Sequence, residues 1–315
     1  TWPTLVGGVL DPGPNVPAGV LVQGQSTARV VLKGPGSAGS PFAVGLAFAD
    51  AGGAGGLTAE SFAAGFFVTA GDVVLQAVRA HGNVVGLAVD GGQVIAHSSE
   101  FSANGEDGVL VVGGAHVELE GGSAHDNAAA GVRLGDGAPT LQTDGFEAYG
   151  NLTGVAVAGD ASAVLEDSEF HHNSDHGLEV IESGSAEARG SELHANTQAG
   201  LWFGGKSLIV RDTTVHDNGE FGVYVEGEPE KADFGNFSEA GNNLLYDNGP
   251  GTADQLLDVR ADRPGLGDPE VFTMSATSLA GETPAPDIYP PDGMWPYFNS
   301  PHFSILGENN FIHVY

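Results

Sequence analysis

Cysteine is absent from this sequence of 315 residues, which excludes disulfide bonds, thiol chemistry and cysteine-ligated zinc. Basic residues are scarce as well: 10 lysines and arginines stand against 41 aspartates and glutamates, a formal net charge of −31. A surface of this sign repels phosphate backbones and anionic lipids, so we expect no nucleic acid among the partners. No uninterrupted apolar run reaches about 18 residues, so no transmembrane segment is predicted.

Glycine is the residue in excess, with 50 copies in the chain. These glycines do not follow the three-residue period of collagen. They indicate many turns and therefore many short strands. Apolar residues, at 41%, are frequent enough to build a core, and the composition is that of a folded protein.

Many of the glycines belong to a repeat, in which asparagine is followed by three residues, glycine, and an aliphatic-x-apolar triplet. Full copies lie at Asn104/Gly108, Asn127/Gly131, Asn173/Gly177, Asn196/Gly200 and Asn218/Gly222, and shortened copies lie at Asn83/Gly86 and Asn151/Gly154. From Gly86 to Gly222 the repeat glycines recur with a regular period of about 23 residues. Weaker copies extend the array back to Gly45 and Gly65 and forward to Asn248/Gly251, where the last interval, from Gly222 to Gly251, is longer than the others.

Each unit carries short apolar stretches with a period of two, such as VEL at 117–119 and GVYV at 222–225. This alternation predicts strands, and about 23 residues are too few for two helices. Three strands and three bends per unit, stacked unit on unit, give an all-β solenoid with equivalent residues about 4.8 Å apart. The predicted interior column consists of Leu178, Leu201 and Val223 with their partners Val180, Phe203 and Val225.

The units DSEFHHNSDHGLEV (167–180), GSELHANTQAGLWF (190–203) and DTTVHDNGEFGVYV (212–225) carry a family resemblance. They resemble the right-handed parallel β-helix repeats of the pectin-lyase-like superfamily, over roughly residues 20 to 255. The resemblance implies a single-stranded right-handed parallel β-helix with about 22–23 residues per coil. It does not select a function, because the family includes lyases, hydrolases, epimerases, adhesins and phage tailspikes.

The two ends of the chain differ from the repeat region. A solenoid needs caps because each end exposes apolar core and unpaired strand edges. We assign residues 1–20 to an N-terminal cap and residues 21–260 to the parallel β-helix. Eight of the 17 prolines lie in 261–315, which we assign to a C-terminal cap or flap packed on the helix.

Two columns of polar residues are explained by the repeat itself. The repeat asparagines are predicted to stack at one corner of the solenoid, where their amides bond neighbouring backbone. Two residues earlier comes a column of mainly histidine and tyrosine, namely His81, Ser102, His125, Tyr149, His171, His194 and His216. We interpret it as a stacked ladder and assign no metal site, because parallel rings about 4.8 Å apart do not converge on one zinc ion.

A third column lies on the strand that follows each repeat glycine and points away from the core. Its members are Phe67, Ala88, Leu110, Arg133, Ala156, Glu179, Trp202 and Tyr224. Trp202 and Tyr224 offer aromatic faces of the kind that stack on sugar rings. The bend before the strand adds further polar groups, Asp175, His176 and Glu220. We therefore predict that Arg133, Glu179, Trp202, Tyr224 and Glu220 bind a sugar chain along this face.

Catalysis on this face would rest on Asp175, His176 and Glu179, since glycoside hydrolysis uses two carboxylates about 5 to 9.5 Å apart. Acidic residues are so abundant that such pairs also arise by chance. The aspartate-cluster signature of polygalacturonase-like hydrolases and the DPHD signature of alginate-epimerase-like enzymes are missing. No cofactor is predicted, although the acidic surface could take up Ca²⁺ without a specific motif.

These features favour a secreted or cell-surface bacterial module that binds a polysaccharide or a cell-surface glycan. The first alternative is a polysaccharide lyase, glycoside hydrolase or epimerase that acts on the same face. The second is a purely structural component of a surface or fibre.

Overall fold

The computed structural model describes residues 15–27, 30–34, 43–225, 230–234 and 241–249, together with the backbones of five later strands. In these residues every regular element is a strand, and the strands pair in parallel into three sheets. Among them there is no helix that is long and apolar enough to cross a bilayer. The strands are numbered β1 to β33 in chain order.

Sheet 1 contains twelve strands, one from each coil. They are β1 (Asn15–Val16), β4 (Val44–Phe48), β7 (Ala64–Val68), β10 (Val85–Val89), β12 (Val109–Val111), β14 (Ala130–Leu134), β17 (Thr153–Val157), β20 (Leu178–Ile181), β23 (Ala199–Gly204), β26 (Phe221–Val225), β29 (Gln255–Val259) and β33 (Asn310–Val314).

Sheet 2 follows sheet 1 in each coil. Its strands are β2 (Val20–Gln23), β5 (Gly52–Gly55), β8 (Asp72–Gln76), the first parts of β11 (Gln93–Ser102) and β13 (His116–His125), β15 (Thr140–Asp144), β18 (Ser162–Glu166), β21 (Ser185–Arg189), β24 (Ser207–Arg211), β27 (Lys231–Phe234) and β30 (Phe272–Met274).

Sheet 3 completes the coil. Its strands are β3 (Val31–Lys33), β6 (Thr58–Glu60), β9 (Arg79–His81), the second parts of β11 and β13, β16 (Glu147–Tyr149), β19 (Glu169–His171), β22 (Glu192–His194), β25 (Thr214–His216), β28 (Leu244–Tyr246), β31 (Ser278–Glu282) and β32 (Ser304–Glu308).

The strand register confirms the predicted coil length. Val155 lies beside Leu178, and Leu178 lies beside Leu201, so each step equals the period of the repeat glycines. The weaker units at the beginning are also confirmed, because β4 pairs with β7 and β7 with β10. The last interval, predicted to run from Gly222 to Gly251, is wrong, since Val223 lies beside Leu257, further along the chain than this interval allows. Gly251 itself lies outside the described residues.

The core is a continuous apolar column enclosed by the three sheets. The predicted interior residues Leu178, Leu201, Val223, Val180, Phe203 and Val225 are all fully buried. Sheet 3 adds large side chains to the same cluster, among them Phe101 and Phe170. Burial of one such side chain contributes about 1.5–3 kcal/mol, so each coil is stabilised mainly through the coils next to it.

The predicted asparagine ladder is present at the bend between sheets 3 and 1. It consists of the buried residues Asn83, Asn104, Asn127, Asn151, Asn173, Asn196, Asn218 and Asn248. Within the ladder, each Nδ2 donates to the Oδ1 of the next asparagine at 2.8–3.3 Å. Each Oδ1 after the first also accepts from the backbone N–H of the preceding asparagine. The ladder thus satisfies polar groups that the bend would otherwise bury without partners.

The predicted aromatic ladder is present on sheet 3. The rings of His125, Tyr149, His171, His194 and His216 stack in sequence, with centroids 4.7–5.0 Å apart and interplanar angles of 1–11°. A neighbouring acidic column supplies hydrogen-bond acceptors: His194 Nε2 lies 2.6 Å from Glu169, and His216 Nε2 lies 2.6 Å from Glu192. Of the three histidines in segment 171–180, the ladder contains His171, and His172 lies edge-on to it with ring centroids 5.0 Å apart. His176 lies outside the ladder.

The described strands extend beyond both predicted boundaries of the repeat region. β1 already lies beside β4 in sheet 1, with Asn15 opposite Ala47. After residue 260, β30 extends sheet 2, β31 and β32 extend sheet 3, and β33 extends sheet 1. Residues 1–14 and most of 261–315 lie outside the described residues, so the two caps stay predictions.

Candidate ligand-binding face

The outward column of sheet 1 is aligned as the repeat predicts. Neighbouring strands pair Phe67, Ala88, Leu110, Arg133, Ala156, Glu179, Trp202 and Tyr224 in succession. A parallel sheet holds these positions about 4.8 Å apart, so the section from Arg133 to Trp202 spans about 14 Å.

The beginning of this face is apolar and closed. The side chains of Val44, Ala47, Ala64, Val85, Ala88, Leu110 and Val112 form a second buried cluster, separate from the core, against which Phe67 and Val84 pack. The first polar side chain of the outward column is its fourth member, Arg133.

A groove of about 800 Å³ lies beside Arg133 on this face, and we call it the acidic groove. Its lining consists of Asp90, Glu106, Asp107, Leu110, Val112, Gly113, Ala129, Arg133, Leu134, Gly135, Asp136, Gly137, Ala158 and Glu182. The groove therefore combines a small apolar floor with five carboxylates and one guanidinium.

The guanidinium of Arg133 is bound by a carboxylate of the protein itself. Its Nε lies 3.0 Å from both oxygens of Asp107, whose side chain is buried. The same carboxylate accepts the backbone N–H of Ala130 at 2.9 Å. Burial and the neighbouring Asp107 raise the pKa of Glu106, and Arg133 offsets this only in part.

Glu179 lies two coils beyond Arg133 in the outward column and is half-buried. Burial raises the pKa of its carboxyl, and the nearby charge of Asp175 raises it further. The more distant charge of Arg133 acts in the opposite direction. Glu179 is thus the member of the column whose carboxyl holds a proton more readily than an exposed glutamate does.

His176 and Trp202 form a stacked pair beside Glu179. The two ring centroids are 4.8 Å apart, and the imidazole is only 4% exposed. Burial lowers the pKa of His176, although Asp175, with Oδ1 3.5 Å from Nε2, acts in the opposite direction. Among the described residues, His176 Nδ1 and Asp175 Oδ1 have no hydrogen-bond partner. Two buried polar atoms therefore lie close to the half-buried indole without a hydrogen-bond partner among the described residues.

The exposure predicted for Tyr224 is wrong. Its side chain is only 5% exposed, with its ring 4.1 Å from that of Trp202 and 5.0 Å from that of Phe221. The phenol ring therefore stacks on the indole of Trp202, and it is too buried to stack on a sugar ring itself. Glu220 is exposed at the adjacent bend, and the structure gives it no contact with the other candidates.

Sequence reasoning missed the carboxylates of the acidic groove. Asp107 occupies the same position of the repeat as His176, directly before the glycine. Alignment of that position gives Val44, Ala64, Val85, Asp107, Ala130, Thr153, His176, Ala199 and Phe221. Asp107 and His176 are the two residues of this column that can ionise. An ionisable residue at a position that is otherwise apolar or neutral is the sequence feature that could have indicated the groove.

The aromatic ladder contains one group with the composition of a metal site. One ligand atom each from Glu169, His171 and His194 lies within 4.8 Å of the others. However, the two rings are stacked within 7° of parallel, so their nitrogen lone pairs do not converge. The same histidine–glutamate hydrogen bond recurs one coil later between His216 and Glu192. We interpret the group as part of the ladder.

Comparison with known proteins agrees with this architecture. A family model described as a right handed beta helix region matches residues 143–253. The chain is a right-handed parallel β-helix. Among curated proteins, no sequence match was found.

Solved structures that are similar to this one include two bacterial modules. The A-module of the mannuronan C-5 epimerase AlgE6 from Azotobacter vinelandii superposes with a TM-score of 0.59 at 15% identity, over 96% of this β-helix and 81% of that chain. The A-module of AlgE4 from the same organism gives 0.47 at 14% identity, over 96% and 87%. The catalytic domain of a GH87 α-1,3-glucanase, solved with tetrasaccharides, gives 0.46 at 11% identity, over 95% and 64%. At 15% identity, the likeness to the AlgE6 module shows the fold alone.

Proposed function

We propose that this β-helix binds a polysaccharide along the outward column between Arg133 and Trp202. The observation that carries the proposal is the half-buried Trp202 ring, which His176 and Tyr224 hold by stacking beside a protonatable carboxyl, Glu179. The part of the indole that His176 and Tyr224 leave exposed lies next to polar groups and suits a sugar ring, which has apolar C–H faces and a hydroxyl rim. The name of the AlgE6 epimerase supports a polysaccharide as the ligand class for this fold.

The face suits an extended chain. Arg133, Glu179 and Trp202 are partly exposed in one column that runs about 14 Å parallel to the solenoid axis, whereas Ala156 between Arg133 and Glu179 is buried. We also propose a secreted or cell-surface location in a bacterium, because polymeric glycans of this kind lie outside the cell.

Replacement of Trp202 by alanine tests this function. We expect affinity for a bound glycan to fall about fivefold to tenfold, since the loss of one stacked aromatic contact costs about 1 kcal/mol. The binding constant would be measured by calorimetry against a glycan panel. Ile209→Ala is the matched control, because Ile209 is a half-buried apolar residue of the same coil on sheet 2. Equal affinities of the wild type and Trp202→Ala would contradict the assignment of this face.

A second candidate function is a carbohydrate-active enzyme that acts on the same face. The raised pKa of Glu179 favours it, because a carboxyl that stays protonated can donate a proton to a glycosidic oxygen. The neighbouring Asp175 would be the second carboxyl that such chemistry requires.

Glu179→Gln separates the two candidates. In an enzyme the variant should lose turnover by at least about a hundredfold while the glycan still binds, because general acid catalysis contributes about 10²–10⁴-fold. In a binding module, only part of the affinity should be lost. Assays for new reducing ends and for unsaturated products would measure turnover. A β-helix with neither binding nor turnover would favour the remaining alternative, a structural surface or fibre component.

A further inference from the structure

The charge of the acidic groove limits the chemistry of its ligand. Its lining carries five carboxylates and one basic residue, Arg133. The carboxylates belong to Asp90, Glu106, Asp107, Asp136 and Glu182. The local excess of negative charge matches the sign of the whole chain, whose formal net charge is −31. The field of the molecule therefore adds to the field of the groove.

Arg133 does not reverse the negative sign of the groove, because its charge is paired with a buried carboxylate of the protein. Both oxygens of Asp107 lie 3.0 Å from its Nε, and Asp107 is buried. The side chain of Arg133 is 40% exposed and its Nη groups can still donate to a ligand, but one guanidinium does not balance the five carboxylates of the lining. Among the residues that line the groove there is no other lysine or arginine.

The negative field continues along the outward column. Glu106 lines the groove and Glu179 belongs to the column. Burial raises the pKa of both carboxyls, and a neighbouring aspartate raises each pKa further. These carboxyls already resist ionisation next to a carboxylate of the protein. A ligand with one carboxylate on each sugar would add several further negative charges to the same strip, at separations where like charges repel strongly.

We propose that the ligand of this face is a glycan without negative charge, and that the acidic groove excludes polyuronates. The inference rests on the proposed function and names the substrate class of the same site. Hydroxyl groups of a neutral sugar donate hydrogen bonds, and the carboxylates of Asp136 and Glu182 can accept them; Glu182 Oε2 already accepts the backbone N–H of Gly159 at 3.0 Å, so its other oxygen is the acceptor for a ligand. Amino sugars meet the same requirement, since an ammonium group is attracted by the field. Specificity then comes from repulsion of the wrong ligand as well as from contacts with the right one.

Binding to glycans of different charge tests the inference. The full chain would be titrated at low ionic strength with neutral glucans, mannans and xylans, with chitosan, and with polygalacturonate and alginate. EDTA in one series removes divalent cations that could bridge carboxylates, and Ca²⁺ is added in a second series. We expect at least one neutral or cationic glycan to bind, and no binding of either polyuronate in either series.

Neutralisation of the groove supplies the decisive variant. The triple change Glu106→Gln, Asp136→Asn and Glu182→Gln removes three charges from the lining. It should bring polyuronate binding into the measurable range, at least tenfold above the wild type. The control triple change Asp72→Asn, Asp144→Asn and Glu147→Gln removes as many charges from exposed positions of sheets 2 and 3. It should leave polyuronate binding unmeasurable, because its charges lie away from the groove.

The outcomes separate the two levels of the proposal. Polyuronate binding by the wild type, with or without Ca²⁺, overturns the charge inference and leaves glycan binding intact. Equal gains in the two triple variants overturn it as well, because the exclusion would then reflect net charge alone. A wild type that binds no glycan of any charge overturns the proposed function and this inference together.

Discussion

Asparagine at the bend before sheet 1 is the residue on which each coil depends. The position of Asn173 shows why: Nδ2 donates to Asn196 Oδ1 at 2.9 Å and to Ala148 O at 3.1 Å. Its Oδ1 accepts from the backbone N–H and the side chain of Asn151. One side chain thus satisfies polar groups in two neighbouring coils. This role could be predicted from sequence, because the asparagine recurs with the coil period.

Other features at the residue scale could not be predicted in this way. The burial of Tyr224 depends on what packs over an outward side chain, and the repeat carries no information about that. The pairing of Arg133 with Asp107 joins two positions that are 26 residues apart and belong to different columns of neighbouring coils. The repeat relates residues at the same position of successive coils, so it does not indicate contacts between residues at different positions.

Asn173→Ala should destabilise the protein by at least about 2–3 kcal/mol, because it leaves several buried polar groups in two coils without partners. The free energy of unfolding would be measured by urea denaturation. Ser174→Ala is the control, since Ser174 is exposed and adjacent, and it should change stability by less than about 0.5 kcal/mol. An unchanged midpoint for Asn173→Ala would show that the ladder bonds are dispensable.

At the scale of the element, the histidines of the aromatic ladder on sheet 3 share one stacked geometry, but their pKa values are shifted in different directions. Burial opposes the protonation of His216, but hydrogen bonds to Glu192 and Asp217 outweigh it, so the pKa of His216 is raised. In His171 burial dominates over the charge of Glu169, so the pKa is lowered. The stack itself could be predicted from the spacing of histidines and tyrosine. The opposite pKa shifts could not, because they depend on which acid reaches which ring.

These shifts predict opposite pH dependences for two members of one ladder. The raised pKa of His216 contributes stability that is fully present below about pH 6.5 and is lost as the pH rises through the folded-state pKa. The lowered pKa of His171 contributes stability that is present above about pH 6.5 and is lost as the pH falls towards its folded-state value.

Urea unfolding of the wild type, His216→Gln and His171→Gln between about pH 5 and 8 measures both contributions. The stability difference between wild type and His216→Gln should grow as the pH is lowered, and the difference for His171→Gln should shrink. Differences that run in parallel for the two variants would contradict the assignment of the two environments.

At the scale of the whole molecule, each coil is stabilised by the coils on either side, so the ends carry the exposed edges. The coil period, the all-β class and the column alignment could all be predicted, because they follow from one repeated unit. The coil that leads from Val223 to Leu257 is longer than the sequence predicts. Its extra residues lie between the strands, where the repeat sets no length.

Deletion of residues 261–315 should destabilise the β-helix and promote aggregation. The described strands β30 to β33 pair with the preceding coils, and their removal exposes the sheet edges that they cover. Thermal unfolding and light scattering of the truncated protein measure both effects. A truncated protein that stays monomeric with an unchanged melting temperature would show that the tail is a separate appendage.

The asparagine ladder also gives the solenoid an electrical direction. From Asn83 to Asn248, seven consecutive side-chain amides donate towards the C-terminal end, so their dipoles add along the axis instead of cancelling. At the first member, Oδ1 accepts the backbone N–H of Phe62, which closes the negative end of the row. Because hydrogen bonds in such a chain polarise one another, each amide strengthens those on both sides. Loss of an asparagine in the middle of the row therefore divides it into two shorter and weaker dipoles. Loss of an asparagine at either end leaves one long dipole almost intact.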